Sequence, residues 1–317
     1  NEARRVPPAA FAAAGTSARG ELWAAMLDTK ASWDDLVERH APDRRTARRI
    51  LGNKLYENVA GRFVQSHEYI AMERLYDLHH EGAYDLIVVD TPPTRYALDF
   101  VDAPERMAEF FSSRFLRLLT APYRSSVVNL ASKPFFTVAD RILGSQFLHD
   151  ISEFFSLFQT MAPGFVERAR AVSQLLRDHR TTYVVVTTLE AAPLREAEVF
   201  SSALRAKGFH LGAVVLNRVL PPYLLDDDAA AVAARLAADP EVIAAALDDG
   251  VGERDQVARV VSEVAESFLR FQVVAQREAE QRAELAVGTD VVTPVPYFET
   301  DIHDLAGLLR LGERIWA

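Results

Sequence analysis

The sequence predicts an α/β protein: a parallel sheet with helices on both faces, interrupted by a helical insertion subdomain. Three observations carry that expectation. In the stretch TTYVVVTTLEAAPLREAEVFSSALRAKG and the following LGAVVLNRVLPP, a β-branched run, a helical pattern and a second β-branched run follow one another. That is the spacing of a βαβ unit, which implies parallel pairing. The run Leu86–Val89 in YDLIVVDTPP ends at Asp90 and two prolines, as a buried parallel strand does where it meets a loop. Between Glu105 and Met161, Phe and Leu residues recur at helical spacing with breaks at Pro122, Pro134 and Gly144, which marks the insertion. The expected divisions are 1–104 for the first part of the α/β domain, 105–163 for the insertion and 164–317 for the second part.

Taken in order, residues 1–20 are rich in Ala, Pro and Gly and read as an extended connection. GELWAAMLD is predicted as a strand. From Ser32 to Gly82 apolar residues step by three and four, through Trp33, Leu36, Val37, Ile50, Leu51, Leu55, Val59, Ile70, Met72, Leu75 and Leu78, which predicts two or three helices. The last of these has Ser66 as its expected cap, His79 and His80 in its final turn and Gly82 at its stop. The strand Leu86–Val89 comes next. Beyond the insertion, a helix near Val166 to Asp178 leads into the βαβ unit. Residues 225–250 are acidic, Ala-rich surface helices, Arg254 to Glu284 is one long helix, VVTPVPYF is the last strand and a helix closes the chain from Leu305.

Composition narrows the function. The 317 residues are 49% apolar, enough for a sizeable core. Lys and Arg number 35 against 45 Asp and Glu, and the net charge of -10 argues against broad adhesion to nucleic acid or anionic lipid. A phosphate-bearing ligand must therefore be held by local geometry. The absence of cysteine excludes disulfides and thiolate metal sites and fits the cytoplasm as the expected compartment. No apolar run approaches the roughly 20 residues of a membrane span, and no signal-peptide pattern opens the sequence. Asn1 stands where a methionine would start a natural chain, so further residues are expected upstream.

The chemistry concentrates at Asp90. A carboxylate at the carboxyl end of a strand can reach a hard cation or a cation-bound water, the layout of a Walker B element. The same residue would equally serve as a cap for the following helix. The adjoining prolines fix their own backbone angles and bias the residue before them, giving a stiff loop able to move as a unit.

DTPPTRYALDFVDAP resembles the switch II segment, usually written DTAPTGHTLR, of the arsenical pump-driving and guided-entry tail-anchored-protein targeting ATPase family, of the deviant Walker A P-loop class. The match comprises Asp90, Thr91, Pro93, Thr94 and Leu98 with an acidic-Ala-Pro turn at Asp102 to Pro104, and Arg95 stands where the pattern has glycine. The resemblance implies a P-loop NTPase-like fold that binds ATP and magnesium and works as a dimer with itself or a related ATPase. Switch II would be Asp90, Thr91, Pro92, Pro93, Thr94 and Arg95, with Asp90 holding magnesium through water. VVVTTLEAAPLREAEVF is similar to the family's strand-to-helix segment, which gives Glu190 a nucleoside-binding role. VVLNRV is similar to the strand ending in the adenine-recognising asparagine, here Asn217. The plainer readings are a helix N-terminal charge for Glu190 and a turn residue for Asn217. VVTPVPYFETDIHDL resembles the last strand and its loop, with Pro296, Tyr297 and Phe298 walling the base pocket.

The family's glycine-rich phosphate loop is not among these residues, since no G-x-x-x-x-G-K-[ST] occurs. The resemblance places it upstream, so the 317 residues alone are not expected to hydrolyse ATP; the alternative is a catalytically silent subunit that pairs with an active relative. In the insertion, Phe147, Ile151, Phe154, Phe155 and Phe158 lie on one helical face. The resemblance makes that face a groove for an apolar helical client; the alternative is that the stripe packs inside the protein. Without cysteine, thiolate transport of metalloids and a zinc-held dimer are both ruled out. No nucleic-acid partner and no membrane span are expected.

Overall fold

The structure, a computed structural model, describes residues 2–53, 55–56, 64–91, 94–113, 145–246, 253–285, 289 and 291–316. In chain order its elements are β1 (Arg4–Arg5), α1 (Pro8–Ala13), β2 (Trp23–Ala24), α2 (Thr29–His40), α3 (Arg44–Leu51), α4 (Val64–Glu81), α5 (Thr94–Ser112), α6 (Ser145–Phe158) and α7 (Ala162–Arg177). There follow β3 (Tyr183–Thr187), α8 (Ala191–Ala206), β4 (Leu211–Val219), a 3-10 turn (Pro222–Leu225), α9 (Asp227–Ala238), α10 (Pro240–Ala246), α11 (Arg254–Glu284), β5 (Val292–Pro296) and α12 (Leu305–Trp316). The chain forms two compact units, one of residues 1–8 and 18–181, the other of residues 9–17 and 182–317.

The second unit contains the parallel sheet, with strand order β3-β4-β5. Val185 pairs with Val214 and Val215 with Thr293, so both ladders run parallel as the βαβ spacing implies. Val214 and Leu216 in the central strand are fully buried, as are Ala197 and Leu204 of α8, which packs on the sheet. Gly212 is required at the start of β4, because a Cβ there would lie 2.2 Å from Thr182 Oγ1. The helices α9 and α10 pack on α11, and α12 packs on β5.

The first unit is mainly helical. Asp28 and Asp43 cap α2 and α3, each accepting the backbone N–H three residues on, from Ala31 at 3.0 Å and from Thr46 at 2.8 Å. The apolar stripes then converge: Trp33, Leu36 and Val37 of α2, Ile50 of α3, Tyr69 and Ile70 of α4, Phe154 and Phe158 of α6 and Phe165 of α7 form one core. Its rings meet edge-on or offset, Tyr69 and Phe165 at 5.6 Å and Phe154 and Phe158 at 5.4 Å between centroids. Beside them lies a buried polar group in which the Tyr69 hydroxyl and Arg168 Nε both donate to the Glu73 carboxylate. Burial raises the Glu73 pKa against the pull of Arg168, and holds the Tyr69 hydroxyl well above its usual range.

Four local expectations are corrected. Residues 8–13 form α1 rather than an extended connection, because a proline at the first helical position and four alanines favour a helical turn. GELWAAMLD is strand only at Trp23–Ala24, paired antiparallel with Arg4–Arg5. The helix expected to be capped by Ser66 already begins at Val64, which leaves Ser66 inside its first turn. Asp102 to Pro104 is not a turn: α5 continues through Pro104, with Val101 and Ala103 buried, on a helix that packs against α4 and α7. Burial there outweighs the hydrogen bond the proline cannot make.

Candidate functional site

In the second unit the carboxyl end of the parallel sheet gathers the residues expected around a nucleoside. The ladder between β4 and β5 breaks after Leu216 and resumes where Val219 faces Pro296. Asn217 and Arg218 occupy that irregularity, and Arg218 has φ 61°, a left-handed backbone uncommon for a side-chain-bearing residue. Bulges of this kind turn side chains out of the regular ladder and are frequent beside binding sites. The Arg218 guanidinium lies over the Tyr297 ring at 5.6 Å from its centroid, and the Tyr297 N–H donates to the Val219 carbonyl at 2.9 Å. Tyr297 is half exposed, Pro296 and Phe298 partly buried. The sheet thus brings Asn217, Pro296 and Tyr297 to one edge.

Glu190 occupies the N-cap position of α8 with extended backbone, yet its side chain makes no capping bond and is exposed. That is a carboxylate after the strand end with no structural task at the helix start. Two neighbours escaped sequence reasoning. Arg218 has no signature except its place beside Asn217. Glu278 accepts the Leu220 N–H at 3.1 Å from 58 residues away, tying α11 to the end of β4, and nothing in the sequence pairs the two.

Asp90 belongs to the first unit, and here the expectation of a buried strand is corrected. Among the described residues Leu86–Val89 joins no ladder; Leu86 is 78% and Val88 81% exposed, and Asp90 is exposed with them. Apolar side chains alone do not make a strand when no partner strand is present to take up the backbone groups. Asp90 and Thr91 line a cleft of about 620 Å³ together with Thr29, His67, Glu68 and Arg74. The Thr29 hydroxyl and His67 Nδ1 are hydrogen-bonded at 2.7 Å across its rim. Thr94 and Arg95 open α5, while Pro92 and Pro93 lie outside the described residues. Among the described residues no group of three or more His, Asp or Glu side chains is arranged to hold a metal. A cation at Asp90 would need its remaining ligands from water and phosphate oxygens.

The apolar face of α6 is not an open groove at the two positions best placed to form one. Phe154 is 1% and Phe158 5% exposed, both within the first unit's core, with Phe155 packed against them. Ile151 is partly buried, and the side chain of Phe147 lies outside the described residues. Phe154 and Phe158 belong to the core, because Trp33, Tyr69 and Phe165 supply their apolar partners within the same unit.

A sequence model of the anion-transporting ATPases matches residues 11–248, from before β2 through α10; it takes in Asp90, Glu190 and Asn217 and ends before Pro296 and Tyr297. The chain belongs to the anion-transporting ATPase family. A family member of this kind is a mixed α/β protein with a parallel sheet, as found here. A protein of Aquifex aeolicus with the provisional name arsenical pump-driving ATPase 1 is 25% identical over 153 residues. That match covers 47% of this chain and 34% of the relative, so the chain spans about a third of that protein. Among the described residues no helix of this family member is long and apolar enough to cross a membrane.

Proposed function

We propose that the protein binds and hydrolyses ATP, and that its nucleotide state switches a dimer between two arrangements. The observation that carries the reading is the bulge at Asn217 and Arg218, set beside Tyr297 at the carboxyl end of a parallel sheet, in a chain of an ATPase family. Ligands of open parallel sheets bind at that end. The Asn217 amide offers a donor and an acceptor together, the complement of an adenine edge. The Tyr297 ring, backed by Arg218, offers a flat face for a base. Glu190, whose carboxylate makes no capping bond, would accept a ribose hydroxyl.

Magnesium–ATP, when bound, supplies the phosphoric anhydride and the cation that neutralises its charge. Asp90 is the residue of this chain that would hold the metal through water. Asp90 and Thr91 stand just before α5, whose first residues are Thr94 and Arg95, so a shift at Asp90 would be carried into a helix that packs on α4 and α7. The loop that cradles the phosphates is proposed to come from residues outside these 317. The second reading is a silent subunit of a related ATPase. Binding of a fluorescent ATP analogue with magnesium decides the main reading: Asn217→Ala should weaken it at least about tenfold, the scale of a lost pair of hydrogen bonds. Unchanged affinity in that variant removes the nucleoside site. ATP turnover by the protein as encoded separates the active enzyme from the silent subunit.

A further inference from the structure

The carboxyl end of the second unit's sheet is built on a distortion, and a distortion needs an anchor. From Leu216 to Val219 β4 takes three steps while β5 takes two, from Pro294 to Pro296, so β4 carries one extra residue there. Arg218 absorbs it at φ 61°, a backbone that a residue with a side chain keeps only where its surroundings hold it. Two hydrogen bonds follow directly. The Tyr297 N–H donates to the Val219 carbonyl at 2.9 Å, a bond that continues the ladder itself. The other comes from outside the sheet, where the Leu220 N–H donates to Glu278 Oε2 of α11 at 3.1 Å. In the run Leu220-Pro221-Pro222 that N–H is the single backbone donor, since proline has none. Glu278 is partly buried, and α11 also packs on the 3-10 turn Pro222–Leu225, whose Leu224 is 5% exposed. A carboxylate accepting a backbone N–H makes a bond about twice as strong as a neutral pair. Its tether is a helix of 31 residues, seated on α9 and α10.

We propose that Glu278 is a positioning residue for base selectivity: by holding Leu220 it keeps the extra residue of β4 at Arg218, and so keeps the Asn217 amide turned toward the base. The inference rests on the reading of Asn217 and Tyr297 as the nucleoside site. With the anchor removed, Arg218 relaxes toward ordinary extended backbone and the pairing of β4 with β5 runs on past Leu216. Strand side chains alternate between faces, so a one-residue slip reassigns them. The Asn217 amide and the Arg218–Tyr297 pair then no longer address one base. That loss falls on base identity, because an amide held in place offers one donor and one acceptor. Adenine presents the complementary acceptor and donor at N7 and the 6-amino group, whereas guanine presents two acceptors. Groups that meet the phosphates are untouched by the change.

Magnesium-dependent binding of fluorescent ATP and GTP analogues to the protein as encoded in full tests it, with inorganic tripolyphosphate as a ligand that carries no base. Glu278→Ala should lower the ratio of ATP to GTP affinity about tenfold while the affinity for tripolyphosphate stays as it was. Glu278→Gln should keep the ratio, because its side-chain carbonyl accepts the same N–H. An unchanged ratio in Glu278→Ala, with the ratio lost in Asn217→Ala, overturns the positioning role and leaves the nucleoside site standing. An unchanged ratio in both variants removes the nucleoside site, and this inference with it. Equal loss of affinity for all three ligands in Glu278→Ala marks structural support alone and overturns the positioning role, as does a Gln variant impaired as far as the Ala variant.

Discussion

Two runs of the chain look alike and fold differently. LIVVD at residues 86–90 and YVVVT at residues 183–187 are both short, β-branched and followed by a helix. The second is a strand with Val185 at 3% exposure, whereas the first is unpaired with Leu86 at 78%. The difference lies in the neighbours. Tyr183–Thr187 has β4 alongside, fixed in place by α8, so each backbone group on that edge finds a partner. Residues 86–90 line a cleft together with residues of α4, and among the described residues they pair with no strand. A β-branched run states a capacity for a sheet, and a neighbouring strand decides whether it is used.

Substitutions can break or sharpen this contrast. The largest effect is expected where the first unit takes its stability from helices: Glu73→Ala leaves the Arg168 guanidinium buried beside an empty space and should cost about 3–5 kcal/mol in urea unfolding. Next, Leu216→Ala removes a fully buried side chain between two ladders and should cost about 2–5 kcal/mol in the second unit. Gly212→Ala should cost about 1–3 kcal/mol by forcing its Cβ into the Thr182 hydroxyl, and Thr182→Ala in the same chain should restore most of that loss. Acid should act through His40, whose pKa is pushed below its ordinary value of 6.5 by burial, then by Arg168 and Arg39. The folded state keeps His40 neutral while the unfolded state gains a proton, so stability is present above pH 6.5 and is lost as pH falls below it. His40→Gln should flatten thermal stability across that window. The smallest effect is expected at the unpaired run, where Val88→Ser should change the stability of the 317-residue chain by less than about 0.5 kcal/mol. A loss comparable to that at Leu216 would show that residues 86–90 are in a ladder after all.

Much of this was legible in the chain. The βαβ unit, the long helix Arg254–Glu284 and the closing helix from Leu305 appear where their periodicities place them, because each is governed by neighbours within a few residues. The order of Asn217, Pro296 and Tyr297 along two strands was enough to bring them to one edge once the strands were parallel. The bulge that turns Asn217 and Arg218 out of the ladder was not legible, since it depends on how β4 meets a strand some 75 residues later. Nor was the fate of the aromatic stripe on α6. An apolar helical face reads the same whether a client or Trp33 and Phe165 covers it.

Residue order by itself determined the βαβ unit with its parallel pairing, the long helix Arg254–Glu284, the closing helix from Leu305 and the family, because these follow from periodicity and short-range spacing. Only the tertiary structure decided which apolar surfaces are closed and which remain open: Phe154 and Phe158 are buried, Leu86 and Val88 are not. Burial is a property of pairs of surfaces brought together across long separations, and no single segment carries it.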